Sequence, residues 1–281
     1  MINIQNLCFS YKQNKVFWGI DLQFREGCIY GLLGENGVGK TTLLKIISGL
    51  LPLETGSCTV DEWTSFERRP EMLEELFFLP DTVVLPDNKT PIQYAAAIAP
   101  FYKNYSEDYL KTLLNELEVS PDWKLAQMSY GQQKKSLLAV SLSLRTRYLL
   151  LDEPSNGLDI PSKSQFRSIL SRDINDQRTI IISTHQVRDI EMLIDPVVIL
   201  TRNNVLLNNT LEEVSKRLFF EFSDSPNPLA LYNERQPGGW LNVMENTNGQ
   251  ESQVNIEALF NTAHKNPHLF KELFGKTSQT V

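Results

Sequence analysis

Residues Gly34-Glu35-Asn36-Gly37-Val38-Gly39-Lys40-Thr41 fit the pattern G-x-x-x-x-G-K-[ST], and the expected fold follows from what stands on either side. Upstream, Cys28 to Leu33 is a short, mostly apolar run that predicts a buried strand. Downstream, Thr42-Leu43-Leu44-Lys45-Ile46-Ile47 places apolar residues at helical spacing, with a stop predicted at Gly49. Strand, glycine loop and helix is the setting in which this pattern holds phosphate. Glycines let backbone N–H groups turn inward on an anion, and the next helix aims the positive end of its dipole at the same oxygens. A chance glycine turn before a helix is the plain alternative, and the correct flanks argue against it. On this reading Gly34, Glu35, Asn36, Gly37, Val38, Gly39 and Thr42 frame the phosphates of a nucleotide. Lys40 reaches the β- and γ-phosphates, and the Thr41 hydroxyl is a ligand for Mg²⁺.

Composition narrows the class. The chain has 281 residues, enough for one large α/β domain with an appendage. Its 41% hydrophobic content predicts a packed core. The net charge is −7 and no dense block of Lys or Arg occurs, which argues against a duplex nucleic-acid partner. No apolar run approaches a membrane span, and Met1 to Leu7 lacks the features of a signal peptide. The expected location is the cytoplasm, docked on a membrane protein where function requires it. Cys8, Cys28 and Cys58 have no C-x-x-C spacing and read as reduced, mostly buried side chains.

Outward from the loop, Ile2, Ile4 and Leu7 to Phe9 predict an opening strand, and Val16 to Phe24 a second. Ser57 to Val60 and Leu76 to Asp81 predict further strands. From about residue 86 to 145 the pattern turns helical. Thr90-Pro91 and Ser106 start two helices, and Ser129 to Gln132 open a third. With no strand signal, this block predicts a helical arm beside an α/β core. Tyr148 to Leu151 and Ile180 to Ile182 are wholly apolar, as central parallel strands are when buried on both faces. Ser162 to Leu170 and Val187 to Ile194 predict helices, and Val197 to Leu200 another strand. Thr210-Leu211-Glu212-Glu213 is a capping box. The α/β core with its arm is expected to end near residue 215. Residues 216–281 form a small extension of mixed α and β character and unknown role, with Trp240 to Val243 as its strand candidate and helices over Ile256 to Ala263 and Leu269 to Phe274. The fold class is therefore α/β: a P-loop core on a parallel sheet, antiparallel strands at the amino end, a helical arm and a small α+β extension.

Ligands in open α/β sheets bind beyond the carboxyl ends of the strands. Asp152 and Glu153 end one apolar run and His185 ends another. Asp152 suits Mg²⁺, directly or through water. Glu153 suits the general base that polarises an attacking water. Alone, His185 reads first as a solvated edge residue, and Tyr11 equally as a cover for the sheet edge or a platform for a base.

Taken in order, these segments resemble the ATP-binding cassette of ABC transporters over roughly residues 1 to 215. Met128-Ser129-Tyr130-Gly131-Gln132 resembles the family's LSGGQ segment, Ser155 to Asp159 the loop after the catalytic glutamate, and Ser183-Thr184-His185 the switch-histidine segment. The resemblance implies that Tyr11 stacks on adenine, that His185 aligns the γ-phosphate, and that Ser129, Gly131 and Gln132 bind ATP held by an opposite protomer. It implies hydrolysis of ATP with Mg²⁺, two cassettes closing head to tail, and a separate transmembrane permease as partner. The second cassette is another copy or a paralogue, and no nucleic acid takes part. The permease would hold the chain at the inner face of the membrane. An appended tail fits an exporter better than an importer; a soluble non-transport ATPase is the alternative. Two positions depart from the pattern. Tyr130 replaces a glycine, and Asp81 stands where a glutamine is usual, making it a candidate third group for Mg²⁺.

Overall fold

The computed structural model describes residues 1–275. Its centre is a six-stranded sheet in the order β10-β9-β3-β8-β7-β6. The strands are β3 (Ile29–Leu33), β6 (Leu76–Leu79), β7 (Tyr148–Asp152), β8 (Thr179–Thr184), β9 (Val197–Thr201) and β10 (Asn204–Asn209). Every pair is parallel except β9 with β10. Strands β3, β7 and β8 are buried along their whole length, which is why their sequences are continuous apolar runs. Successive side chains point to opposite faces. Tyr30, Leu32, Leu150, Ile181 and Val198 enter one cluster; Ile29, Leu33, Leu149, Leu151, Ile180 and Ile182 enter another.

The first cluster packs against helix α1 (Lys40–Ile47) through Leu43, Leu44, Ile46 and Ile47. It is closed by an antiparallel sheet ordered β2-β1-β4-β5, made of β1 (Ile2–Tyr11), β2 (Asn14–Phe24), β4 (Thr55–Val60) and β5 (Trp63–Thr64). A short α2 (Pro70–Leu73) leads into β6. The second cluster carries the arm, α3 (Pro91–Ile98), α4 (Glu107–Glu116) and α5 (Tyr130–Ser143), together with α6 (Ile160–Asp173). Thr90, Ser106 and Ser129 cap the three arm helices through side-chain oxygens, as their sequence positions predict.

Two expectations are corrected. Val187 to Ile194 is no α-helix. Only Val187–Asp189 forms a 3₁₀ turn, and the segment continues through i→i+3 bonds such as Leu193 N–H to the Ile190 carbonyl at 2.8 Å. Ile190 and Ile194 are buried at helical spacing, but Gln186 provides no side-chain cap and Met192 is exposed. The extension also holds more strand than its polar sequence suggests. After α7 (Leu211–Ser215), strands β11 (Leu218–Ser223), β12 (Tyr232–Gln236) and β13 (Gly239–Glu245) form an antiparallel sheet ordered β11-β13-β12. Helices α8 (Ile256–Lys265) and α9 (Pro267–Phe274) follow. Leu241, Val243, Ile256 and Leu259 join the same apolar cluster as Ile190, Val197 and Ile199, so the extension is continuous with the cassette core.

Candidate nucleotide site

Three adjacent strand ends bring the site together. Leu33 of β3 is in register with Thr184 of β8, and Asp152 of β7 with Ser183 of β8. The phosphate-loop pattern, the acidic pair and the switch histidine therefore leave the sheet side by side.

The loop turns from β3 into α1 through Gly37 and Gly39, at φ +78° and +116°. A Cβ on Gly39 would lie 2.8 Å from the Phe17 ring, so glycine is required there both by conformation and by space. Gly34 is confined in another way: its Cβ would strike Val38 and the Leu200 carbonyl. Gly39 also caps α1 without any side-chain hydrogen bond. The first N–H groups of α1 thus open into a glycine cradle with no side chain competing for them, which fits a phosphate.

Lys40 is buried and folded over its own loop. Its ammonium donates to the carbonyls of Gly34 at 2.7 Å and Glu35 at 3.3 Å, and lies 3.8 Å from Glu153 Oε1. Burial pulls its pKa down, while the charges of Glu153 and Asp152 push it up. A phosphate would give this desolvated cation a full anionic partner in place of two carbonyls.

Thr41 Oγ1 donates to Asp152 Oδ2 at 2.7 Å, and the Ser183 hydroxyl donates to Asp152 Oδ1. A hydroxyl beside a buried carboxylate fits Mg²⁺, which takes few protein oxygens and completes its shell with water and substrate phosphates. Among the described residues no three His, Cys, Asp or Glu side chains cluster as a metal cage. The Asp81 carboxylate accepts from Lys134 Nζ at 2.9 Å through one oxygen.

Glu153 has φ +47°, a left-handed conformation that costs a non-glycine residue about 1–3 kcal/mol. Its N–H is held by the Ser183 carbonyl at 2.9 Å. The carboxylate meets His185 Nδ1 at 2.8 Å and the His185 N–H at 3.4 Å. Lys40 Nζ shares Oε1 with His185 Nδ1, while the His185 N–H takes Oε2, so the Glu153 carboxylate is oriented by an ammonium, an imidazole and an amide at the mouth of the loop.

Tyr11 is half exposed, edge-on to Phe9, and its hydroxyl accepts from Thr42 Oγ1 at 3.4 Å. That sets an aromatic face beside the first turn of α1. Ser129 and Gln132 stand at the amino end of α5 and bond each other: Ser129 Oγ accepts from Gln132 N–H at 3.3 Å, and Gln132 Oε1 accepts from Ser129 N–H at 3.0 Å. The backbone of Gly131 packs toward the Gly157 carbonyl.

Several site residues were not legible in sequence. In the sequence Ser183 stands out only as part of the histidine segment, yet it donates to Asp152. Lys134 carries no motif, yet it holds Asp81. Helix α8 belongs to the extension in sequence; with Glu35, His185 and Arg188 its residues Glu257 and Phe260 line a cavity of about 440 Å³. Arg188 Nε donates to Glu257 at 2.8 Å, tying α8 to the turn after His185. No local pattern could have given these pairings, because each joins residues far apart in the chain.

Comparison with known proteins agrees with this geometry. Residues 17–156 match the family model described as ABC transporter. The cytochrome c biogenesis ATP-binding export protein CcmA of Reclinomonas americana is 32% identical over 195 residues, covering 66% of this chain and 87% of that protein. The ABC transporter ATP-binding protein YtrB of Bacillus subtilis is 26% identical over 217 residues, covering 77% and 74%. Among solved structures, the dimeric bacterial ABC transporter cassette MJ0796 superposes with a TM-score of 0.67 at 20% identity, covering 75% of this chain and 99% of that one.

Proposed function

The chain belongs to the ABC transporter family as an ATP-binding, ATPase subunit, and on that premise we propose that it works as an ATP-sandwich dimer driving a separate transmembrane permease. The observation that carries this reading is the convergence of Lys40, Thr41, Asp152, Glu153 and His185 beyond the carboxyl ends of β3, β7 and β8. Transporter relatives do not favour a soluble non-transport ATPase. Among the described residues no helix is long and apolar enough to cross a membrane, in keeping with a permease on another chain at the inner membrane face. Outward transport is our proposal for direction, supported by the likeness to an export protein.

In this mechanism the amides of Gly37 to Thr42 and the Lys40 ammonium hold the β- and γ-phosphates. Tyr11 offers its exposed face to the base. Thr41 and Asp152 would hold Mg²⁺, which when bound offsets phosphate charge as phosphorus is attacked. Glu153 accepts a proton from the water that attacks the γ-phosphorus, and the bond to the bridging oxygen breaks to leave ADP and phosphate. His185 keeps the Glu153 carboxylate in one orientation through Nδ1. Ser129, Gly131 and Gln132 of one copy meet the γ-phosphate bound by the other, so ATP favours the closed pair by touching both.

Size-exclusion chromatography of Glu153→Gln with and without ATP and Mg²⁺ tests the reading. A monomer that becomes a dimer only with ATP supports it. A monomer under both conditions in the presence of saturating bound ATP overturns it for the isolated subunit.

A further inference from the structure

Two residues that depart from the family pattern, Asp81 and Tyr130, are joined by Lys134. Lys134 lies one turn after Tyr130 on α5 and is buried, with 5% of its surface exposed. Its ammonium donates to the Asp81 carboxylate at 2.9 Å and also to the Asp81 carbonyl. It also sits 5.7 Å from the centre of the Tyr130 ring. A buried ammonium needs such partners, since burial strips it of the water that would otherwise stabilise its charge. The Tyr130 ring in turn lies on Gly157. A Cβ at Gly157 would come within 2.3 Å of the ring edge, so ring and glycine occupy complementary space. The Gly157 turn is closed by Asn156 N–H to the Glu153 carbonyl at 3.2 Å and Leu158 N–H to the Ser155 carbonyl at 3.2 Å.

We propose that Asp81, Lys134 and Tyr130 form an interlock that positions the amino end of α5 against the end of β6 and the turn following Glu153. The three are positioning residues: they touch no reacting atom. Through them the anion-binding end of the arm and the turn after the general base move as one piece. Asp81 serves the interlock through the carboxylate oxygen and the carbonyl that Lys134 Nζ reaches. Tyr130 fills the gap between α5 and the turn that a glycine at 130 would leave open.

The functional consequence rests on the ATP-sandwich reading, so the test has two independent arms. In the first, hydrogen exchange compares the parent chain with Lys134→Met. The expected result is faster exchange, about tenfold or more, at both residues 130–134 and 155–159. Faster exchange confined to 130–134 overturns the interlock, whatever the dimer does. In the second, ATP-driven dimerisation is measured in chains that also carry Glu153→Gln. Lys134→Met and Asp81→Asn should each weaken the dimer about tenfold with ATP affinity of the monomer within twofold. The pair together should be no worse than Lys134→Met alone, and Lys134→Arg should stay within threefold of the parent. Additive losses, or a dimer within twofold of the parent in both single variants, overturn the proposal. Failure of Glu153→Gln itself to dimerise overturns the sandwich reading and leaves the exchange result to decide the interlock.

Discussion

The amino ends of α1 and α5 offer positive dipole ends of the same kind, but they are finished in opposite ways. At α1 the cap is Gly39, with a positive φ and no side chain to accept the first N–H groups. At α5 the cap is Ser129, and it exchanges hydrogen bonds with Gln132. An uncapped end is ready for an anion and is stabilised by one. A capped end is already satisfied, so an anion must compete with the cap and gains only the difference. On the proposed sandwich, the contrast separates an end suited to bind ATP within one chain from an end suited to sense it across two.

The experiments that break this comparison hardest act at the α1 side. Glu153→Gln should lower hydrolysis by about 10²–10⁴-fold, the range for loss of a general base, with ATP affinity retained; steady-state phosphate release and nucleotide binding measured together check both halves. Parent-like turnover would remove Glu153 from the base role. Next in size, Lys40→Ala should weaken ATP affinity by about a hundredfold, or about 2.8 kcal/mol at about 1.4 kcal/mol per decade, by equilibrium binding. Affinity near the parent value would mean that the loop amides suffice alone.

Smaller effects are expected at α5. Ser129→Ala removes the cap and should cost about 1 kcal/mol of stability in denaturant titration. ATP affinity of the monomer should not change if α5 meets only the opposite copy's nucleotide, as proposed; a matched loss of monomer affinity would erase the distinction between the two helix ends. Restoring glycine at Tyr130 should be the mildest, with hydrolysis changed by less than about tenfold, or about 1.4 kcal/mol in the barrier. A larger change in steady-state rate would place Tyr130 closer to the chemistry than the interlock does.

Sequence by itself determined the order of the chemistry. Gly34 to Thr41 required a strand before and a helix after, and both are present as β3 and α1. The apolar runs at Tyr148 and Ile180 required burial on both faces, which only a central parallel sheet supplies. Thr90, Ser106 and Ser129 marked helix starts because capping is local, acting over three residues. The misread helix over Val187 to Ile194 shows the limit of periodicity, since burial at i and i+4 is also compatible with successive tight turns. The strands of the extension were masked for a related reason. Ser, Asn, Pro and Gly dominate their connections, and the buried positions of β11 and β13 are set by their antiparallel pairing with each other.

What only the tertiary structure decided were the partners of charges and the closeness of loops. Asp81 has a lysine partner because the fold buries Lys134, 53 residues away, beside it. His185 becomes the orienting group for Glu153 because β7 and β8 end in register. The physical reason is common to both. Backbone periodicity and capping act between near neighbours and are written in a short stretch of chain, whereas the energy of a charge depends on which distant groups the fold brings within hydrogen-bond reach and how much water it excludes.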